Sequence, residues 1–246
     1  MTGKPVALTE RDKTLIREVT RFGVMTRPQL MHLGLFASKT RANERLRRLT
    51  DAGYLAARRQ PLQLGGPRNV YMPGPNAAVA PLLPRRLKHT SDFHLSHQLG
   101  LVDIRLAFER HVHDLRWLTD RELAGAAAGL VPDAYVEYSH AGLMYAAFIE
   151  LDRGTETHAR IERKARTYAD LAFTGRFERM FGRQFFRCLV VAESERRLKT
   201  LKQTIHRVTN RLFRLTTLDA IRTHGPIGSI WQRPDSDVLE SLTVAN

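Results

Sequence analysis

One stretch, residues 131–168 (VPDAYVEYSHAGLMYAAFIELDRGTETHARIERKARTY), constrains the fold more than any other. Val131–Tyr138 carries the β-branched and aromatic residues of a strand, and Ser139-His140-Ala141-Gly142 reads as a turn. Leu143–Asp152 is a second apolar run that ends abruptly in charge. The period then becomes helical, with Ile161, Ala165, Tyr168 and Ala172 on one face. Within this frame the acids are unusually placed. Glu150 and Asp152 lie two residues apart at a strand end, so both leave the same face of the sheet. Asp133, just after Pro132, opens the strand that should pair with theirs. Three carboxylates are therefore expected to converge at one sheet edge.

Such convergence has two readings. Clustered oxygen ligands suit a hard cation such as Mg²⁺, which activates water for attack on a phosphodiester. Alternatively, strand ends emerge into solvent, where acids are ordinary and pair with arginines such as Arg153. The spacing alone leaves both open.

Charge supplies the context. The 246 residues carry a formal charge of +14, which makes a polyanion the default partner. Residues 1–90 hold 17 Lys/Arg against 5 Asp/Glu, whereas residues 91–246 hold 22 against 20. The basicity thus belongs to an N-terminal module. The single cysteine, Cys188, lies in an apolar run and excludes an intrachain disulfide or a cysteine-built zinc site. The N-terminus has no signal-peptide pattern, and no apolar run approaches the roughly 18 residues of a membrane span. A cytoplasmic protein without membrane association is expected.

Taken in order, Thr9 caps a first helix with Asp12 in the capping-box position, and Leu15, Ile16, Val19 and Phe22 form its apolar face up to Gly23. Thr26-Arg27-Pro28 starts a second, with Leu30, Met31 and Leu33 as its buried side. Ser38 caps a third, with Ala42, Leu46 and Leu49 inward and Lys39, Arg41, Arg45 and Arg48 outward or flanking. Strands at 54–59 and 69–72 follow, joined by a loop. Residues 76–91 read as a linker rich in proline and alanine. A helix from Ser91 or Asp92 carries His94, His97, Leu101, Ile104 and Phe108 on one face; packed or surface histidines explain the pair better than a metal, since no third ligand is near in sequence. Leu115–Leu118 is a short strand, Phe185–Ala192 a central one, Ser194 caps a helix reaching about Arg211, and Phe213–Thr217 is an edge strand. A short helix to Thr223 and one more strand, Ile227–Gln232, complete the domain, and the polar tail from Pro234 is expected to be flexible.

Three helices and a hairpin resemble winged helix-turn-helix DNA-binding domains over residues 8–72, chiefly through the phrase RRLTDAGYL from Arg47 to Leu55. The resemblance implies that Lys39, Thr40, Arg41, Arg45 and Arg48 belong to the helix that enters the major groove of double-stranded DNA. Arg58, Arg59 and Arg68 would lie on the wing, near phosphates. Residues 92–192 resemble the restriction-endonuclease-like core of the PD-(D/E)xK superfamily, an α/β domain with a mixed sheet, with Pro132-Asp133 as the PD element. Here Asp152 stands where that pattern has its lysine, and Lys164 on the next helix is the available substitute.

As a whole, the chain resembles the replication-relaxation family of bacterial plasmids and integrative elements. The match is carried by His97, Leu101-Val102-Asp103, Pro132-Asp133, the phrase FIELDRGTE from Phe148 to Glu156, Lys164 and Tyr168. That resemblance implies a winged helix-turn-helix, here 1–75, joined to the nuclease-like domain, here 92–233, with the linker over 76–91 and the tail over 234–246 read from composition. It also implies a DNA-binding regulator or replication and mobilisation accessory, working with other replication or mobilisation proteins. A homodimer would place two winged helices on a palindromic site. The alternative is a metal-dependent endonuclease or nickase using Asp133, Glu150, Asp152 and Lys164, with Mg²⁺ on the three acids. The leading reading requires no cofactor: Lys164, Arg160 and Arg153 neutralise the acids directly.

Overall fold

The computed structural model describes residues 6–61, 66–77, 91–124 and 130–243. The chain divides into two compact units, Met1–Val102 and Asp103–Asn246. The first begins with helix α1 (Glu10–Phe22). The capping box forms as the sequence implies: Thr9 Oγ1 accepts from the Asp12 amide, and Asp12 Oδ2 accepts from the Thr9 amide at 2.8 Å. Leu15, Ile16, Val19 and Phe22 are buried, and Gly23 ends the helix at φ 78°. A two-residue strand, β1 (Met25–Thr26), comes next and has no counterpart in the sequence reading. Helix α2 (Arg27–His32) is capped by Thr26 and buries Leu30; Met31 and Leu33 stay partly exposed, because only one face of so short a helix meets the core. Helix α3 (Lys39–Asp51) is capped by Ser38 and buries Ala42, Leu46 and Leu49. Strands β2 (Leu55–Gln60) and β3 (Arg68–Pro73) form a hairpin, and β1 adds to its other edge in the antiparallel order β1-β3-β2. Gly74 passes so close to the chain after α3 that a Cβ there would lie 2.2 Å from the Gly53 carbonyl oxygen.

Helix α4 (Asp92–His111) contains the boundary between the units. Its first half belongs to the first unit: Leu95 and Leu99 pack with Val24, Val70 and Met72, and Gln29 Nε2 donates to the Leu99 carbonyl at 3.0 Å. A boundary at residue 92 would remove this helical half from the core it completes. Most of the predicted linker, 78–90, lies outside the described residues.

In the second unit the rest of α4 is followed by β4 (His113–Thr119), α5 (Asp120–Leu123), β5 (Ala134–His140) and β6 (Leu143–Asp152). Then come α6 (His158–Phe173), α7 (Arg176–Phe181), β7 (Arg187–Ala192), α8 (Glu195–His206), β8 (Phe213–Thr217) and α9 (Leu218–His224). The strands form one mixed sheet, β4-β5-β6-β7-β8, antiparallel through β6 and parallel beyond it. Its two faces have separate covers. On one, α6, α7 and α8 bury Ile161, Tyr168, Phe177, Leu198 and Leu201 over Tyr135, Phe148 and Cys188. On the other, Phe108 of α4 meets Tyr138 and Trp117. On α6 it is Leu171, not Ala172, that is buried.

The segment expected to be flexible is tied down through Thr243. Trp231 is fully buried and bridges to Glu240, Gln232 bridges to Leu215 of β8, and Leu242 is 1% exposed. The Lys202 ammonium, itself buried, pairs with Asp237 and donates to the Gln232 side chain at 2.6 Å. A tail that neutralises buried cations and adds to a sheet edge is part of the unit, whatever its polar composition. Only two isolated bridges form where a strand at Ile227–Gln232 was predicted.

Candidate functional site

Strand β6 emerges from the sheet at Glu150 and Asp152, both nearly buried, at 7% and 6% exposure. Extending the antiparallel register of β5 and β6 by one position sets Asp133 opposite Glu150. Asp133 Oδ2 accepts from the Leu151 amide at 2.8 Å, which closes the end of the ladder. Helix α6 crosses this edge with Ile161, Ala165 and Tyr168 inward, so Lys164 and Tyr168 face β6 from successive turns. Lys164 Nζ lies 2.7 Å from Glu150 Oε2, and the Tyr168 hydroxyl donates to Oε1 at 2.5 Å. Lys164 also reaches Glu156 at 3.0 Å, and Arg160 pairs with that same carboxylate.

The electrostatics follow from burial. Desolvation, reinforced by the negative Asp133, raises Glu150 to about 7 against the opposing pull of Lys164 and Tyr168. Burial opposes the charge on Lys164, but Glu150 and Glu156 outweigh it and hold the ammonium more firmly protonated than usual. Burial and then Glu150 push the Tyr168 hydroxyl and the Cys188 thiol well up. Cys188 is thus a neutral core residue.

Asp152 is held elsewhere, although it shares a strand face with Glu150. Arg197, in the first turn of α8, grips it with two bonds, Nε to Oδ1 at 2.6 Å and Nη2 to Oδ2 at 2.9 Å. The Gly154 amide donates to Oδ1 at 2.7 Å, and Arg197 Nη2 also meets the Glu156 carbonyl. Arg153 pairs instead with Glu193 at 2.6 Å. Of the three acids expected at this edge, Asp133 and Glu150 lie opposite one another and interact, whereas Asp152 is gripped by Arg197 of α8 and Glu150 by Lys164 of α6. Among the described residues no three His, Cys, Asp or Glu side chains are grouped so as to hold a metal ion. In this arrangement the oxygens of Glu150 are taken up by Lys164 and Tyr168, and those of Asp152 by Arg197 and the Gly154 amide.

Of the three basic residues expected to offset the acids, Lys164 contacts Glu150, whereas Arg160 and Arg153 serve other carboxylates. Arg197 was missed. Its signal lies in topology: the parallel register sets Asp152 beside Ala192, so the helix capped by Ser194 starts next to that carboxylate.

In the first unit, Lys39, Thr40 and Arg41 stand exposed in the first turn of α3. Among the described residues neither Lys39 nor Arg41 has an acid partner. Arg45 is turned inward: Nε and Nη2 bind Asp12 at 2.8 and 2.5 Å, and Nη2 also meets the Ala7 carbonyl. Although burial opposes it, this grip and the Thr9 bonds hold the Asp12 carboxyl below its ordinary value. Arg48 pairs with Glu44 at 2.5 Å. Arg58 is bound to Asp92 at 2.6 Å, Arg68 donates to Gln60 at 2.9 Å, and Arg59 is exposed on the hairpin. Arg11, Arg41, Glu44, Arg45 and Arg48 line a cationic cleft of about 360 Å³. Arg11 lies over the Phe36 ring.

Together these features define a two-unit α/β protein: a strongly basic helix-and-hairpin unit, and a mixed-sheet unit with a buried acid–lysine–tyrosine cluster at one strand end. Residues 16–184 match the replication-relaxation family, and the chain belongs to that family. No curated protein matches it. Among solved structures it is similar to restriction endonuclease FokI, at 13% identity and a TM-score of 0.34, over 89% of this chain and 45% of that one. The structure of FokI bound to DNA is similar at 12% identity and a TM-score of 0.28, with the same coverage. The chain thus spans under half the length of these neighbours. No helix among the described residues is long and apolar enough to cross a membrane.

Proposed function

We propose that the chain is a sequence-specific double-stranded DNA-binding protein of a bacterial plasmid or other mobile element. It acts as a regulator or as an accessory to replication or mobilisation, in the cytoplasm and as a homodimer. The carrying observation is the exposed Lys39-Thr40-Arg41 turn at the start of α3, in a region with twelve excess positive charges. In the winged-helix reading, α3 enters the major groove, Lys39, Thr40 and Arg41 meet base edges, and Arg59 meets phosphate. Arg45 braces α3 against α1 through Asp12, and Arg58 braces the hairpin against α4. The test is binding of the full chain to duplex DNA across a salt series. Affinity should fall steeply with salt; Arg41→Ala should relax sequence preference, and Arg59→Ala should weaken all sequences alike and lower the salt slope by about 1. Salt-insensitive binding, or equal binding by both variants, refutes the reading.

In this proposal the acid cluster of the second unit is structural. One observation favours a second reading, a metal-dependent endonuclease or nickase: Lys164 contacts Glu150, and Asp133 lies opposite it in register. Nicking of supercoiled DNA with Mg²⁺ or Mn²⁺, lost in Glu150→Ala and retained in Arg41→Ala, would establish it. Intact plasmid under the same conditions supports the structural role.

A further inference from the structure

The second unit carries a groove that neither the acid cluster nor the basic helix accounts for. It measures about 550 Å³, within the range of ligand-binding clefts. Its lining comes from β5, β6, the end of α6, the approach to β7, and the turn after α8. Two phenylalanines of its lining, Phe173 and Phe185, are 89% and 82% exposed, far outside the usual state of so large an apolar ring. Phe186 and Tyr145 also belong to the lining, the latter stacked on Tyr138 at 5.2 Å between ring centres.

The charges of the groove point one way. Arg187 and Arg211 belong to its lining, and among the described residues no Asp or Glu does. Arg187 is fixed by donating Nη1 to the Leu242 carbonyl at 2.5 Å. Arg211 is exposed, and its guanidinium has no acid partner among the described residues. A fitting occupant must therefore combine flat apolar faces with negative charge at close intervals. A second copy of the chain meets that demand poorly, because a two-fold contact on this patch would bring the arginines toward their own mates with no acid between them. Exposed aromatic rings interleaved with arginines are the means by which proteins hold unpaired bases, with rings stacking on bases and guanidinium groups following the phosphates.

We infer that this groove binds single-stranded DNA, with Phe173 and Phe185 as stacking platforms and Arg187 and Arg211 on the backbone. The site is separate from the duplex-reading helix proposed above, so either assignment can fail alone.

The test uses the full chain and a fluorescein-labelled oligothymidylate of roughly 20 nucleotides, longer than a typical single-strand footprint. Fluorescence anisotropy gives its affinity, with a duplex probe in parallel. Phe173→Ala together with Phe185→Ala should weaken single-strand binding at least about tenfold. Arg211→Glu should do likewise, and both should leave duplex affinity unchanged. All three side chains are exposed, so the variants should fold, and circular dichroism checks this. Unchanged single-strand affinity in both variants overturns the inference. So does a phenylalanine variant that turns a dimer into monomers by light scattering while holding the oligonucleotide as before, since the groove would then be a self-interface.

Discussion

Lys164 Nζ reaches Glu150 Oε2 at 2.7 Å, so a helix and a strand end are joined by an ion pair whose carboxylate is buried. Removing the cation leaves a buried carboxylate with Tyr168 as its remaining side-chain donor. Lys164→Met should lower the stability of the second unit by about 3 kcal/mol at pH 8. At pH 5 the loss should be smaller, because Glu150 is then protonated and needs no counter-charge. Urea unfolding at the two pH values measures the difference.

Glu150 itself gives a signed pH dependence. Its value in the folded protein, about 7, lies above the ordinary 4.5. Between those limits the folded state keeps a proton that the unfolded chain releases. Stability from this group is therefore present below about 4.5, falls as pH rises to 7, and is level beyond. Glu150→Gln should remove that slope, so the variant gains on the parent protein across this window in urea titrations. Parallel curves would show that Glu150 titrates normally.

Arg197 and Asp152 join α8 to β6 through two hydrogen bonds. Arg197→Met should cost about 3 kcal/mol, while Arg197→Met with Asp152→Leu should recover much of it, since no lone charge stays buried. A double-mutant cycle in urea gives the coupling. Duplex DNA affinity should be unaffected by either change.

Local chemistry was legible in the sequence, and pairings set by topology were not. The Thr9 capping box and the Ile161, Ala165, Tyr168 stripe need only neighbours a turn away, and both stand in the structure. Lys164 could be placed on that stripe and so directed at Glu150. Arg197 could not be matched to Asp152 without the parallel register of β6 and β7. Asp12 misled in another way: the sequence shows it as a cap, whereas the fold also makes it the anchor of Arg45. The helical half from 92 to 102 joins the first unit through Leu95 and Leu99, whose partners lie more than twenty residues earlier.

Arg45→Ala should accordingly act on stability before recognition. Asp12 is fully buried, and loss of the guanidinium should cost on the order of 2 kcal/mol. Thermal unfolding should register this, while the variant that does fold keeps the parental sequence preference.

Deleting residues from Pro234 onward should destabilise the second unit by at least about 3 kcal/mol. The deletion removes buried Leu242 and the Glu240 carboxylate from Arg214, which is 2% exposed. Burial, with Arg187 nearby, already pushes the Arg214 guanidinium below its ordinary value. Thermal melts of the shortened chain check this, and an unchanged midpoint would refute it.

The same segment bears on how the protein is made. Glu240 and the Trp231–Gln232 strip leave the ribosome after every strand of the sheet they complete. Until they emerge, β8 offers an open edge and Arg214 lacks its counter-ion, so the nascent second unit should wait in a partly closed, chaperone-accessible form. The first unit, whose core closes with Leu99, can finish folding while the second is still being synthesised.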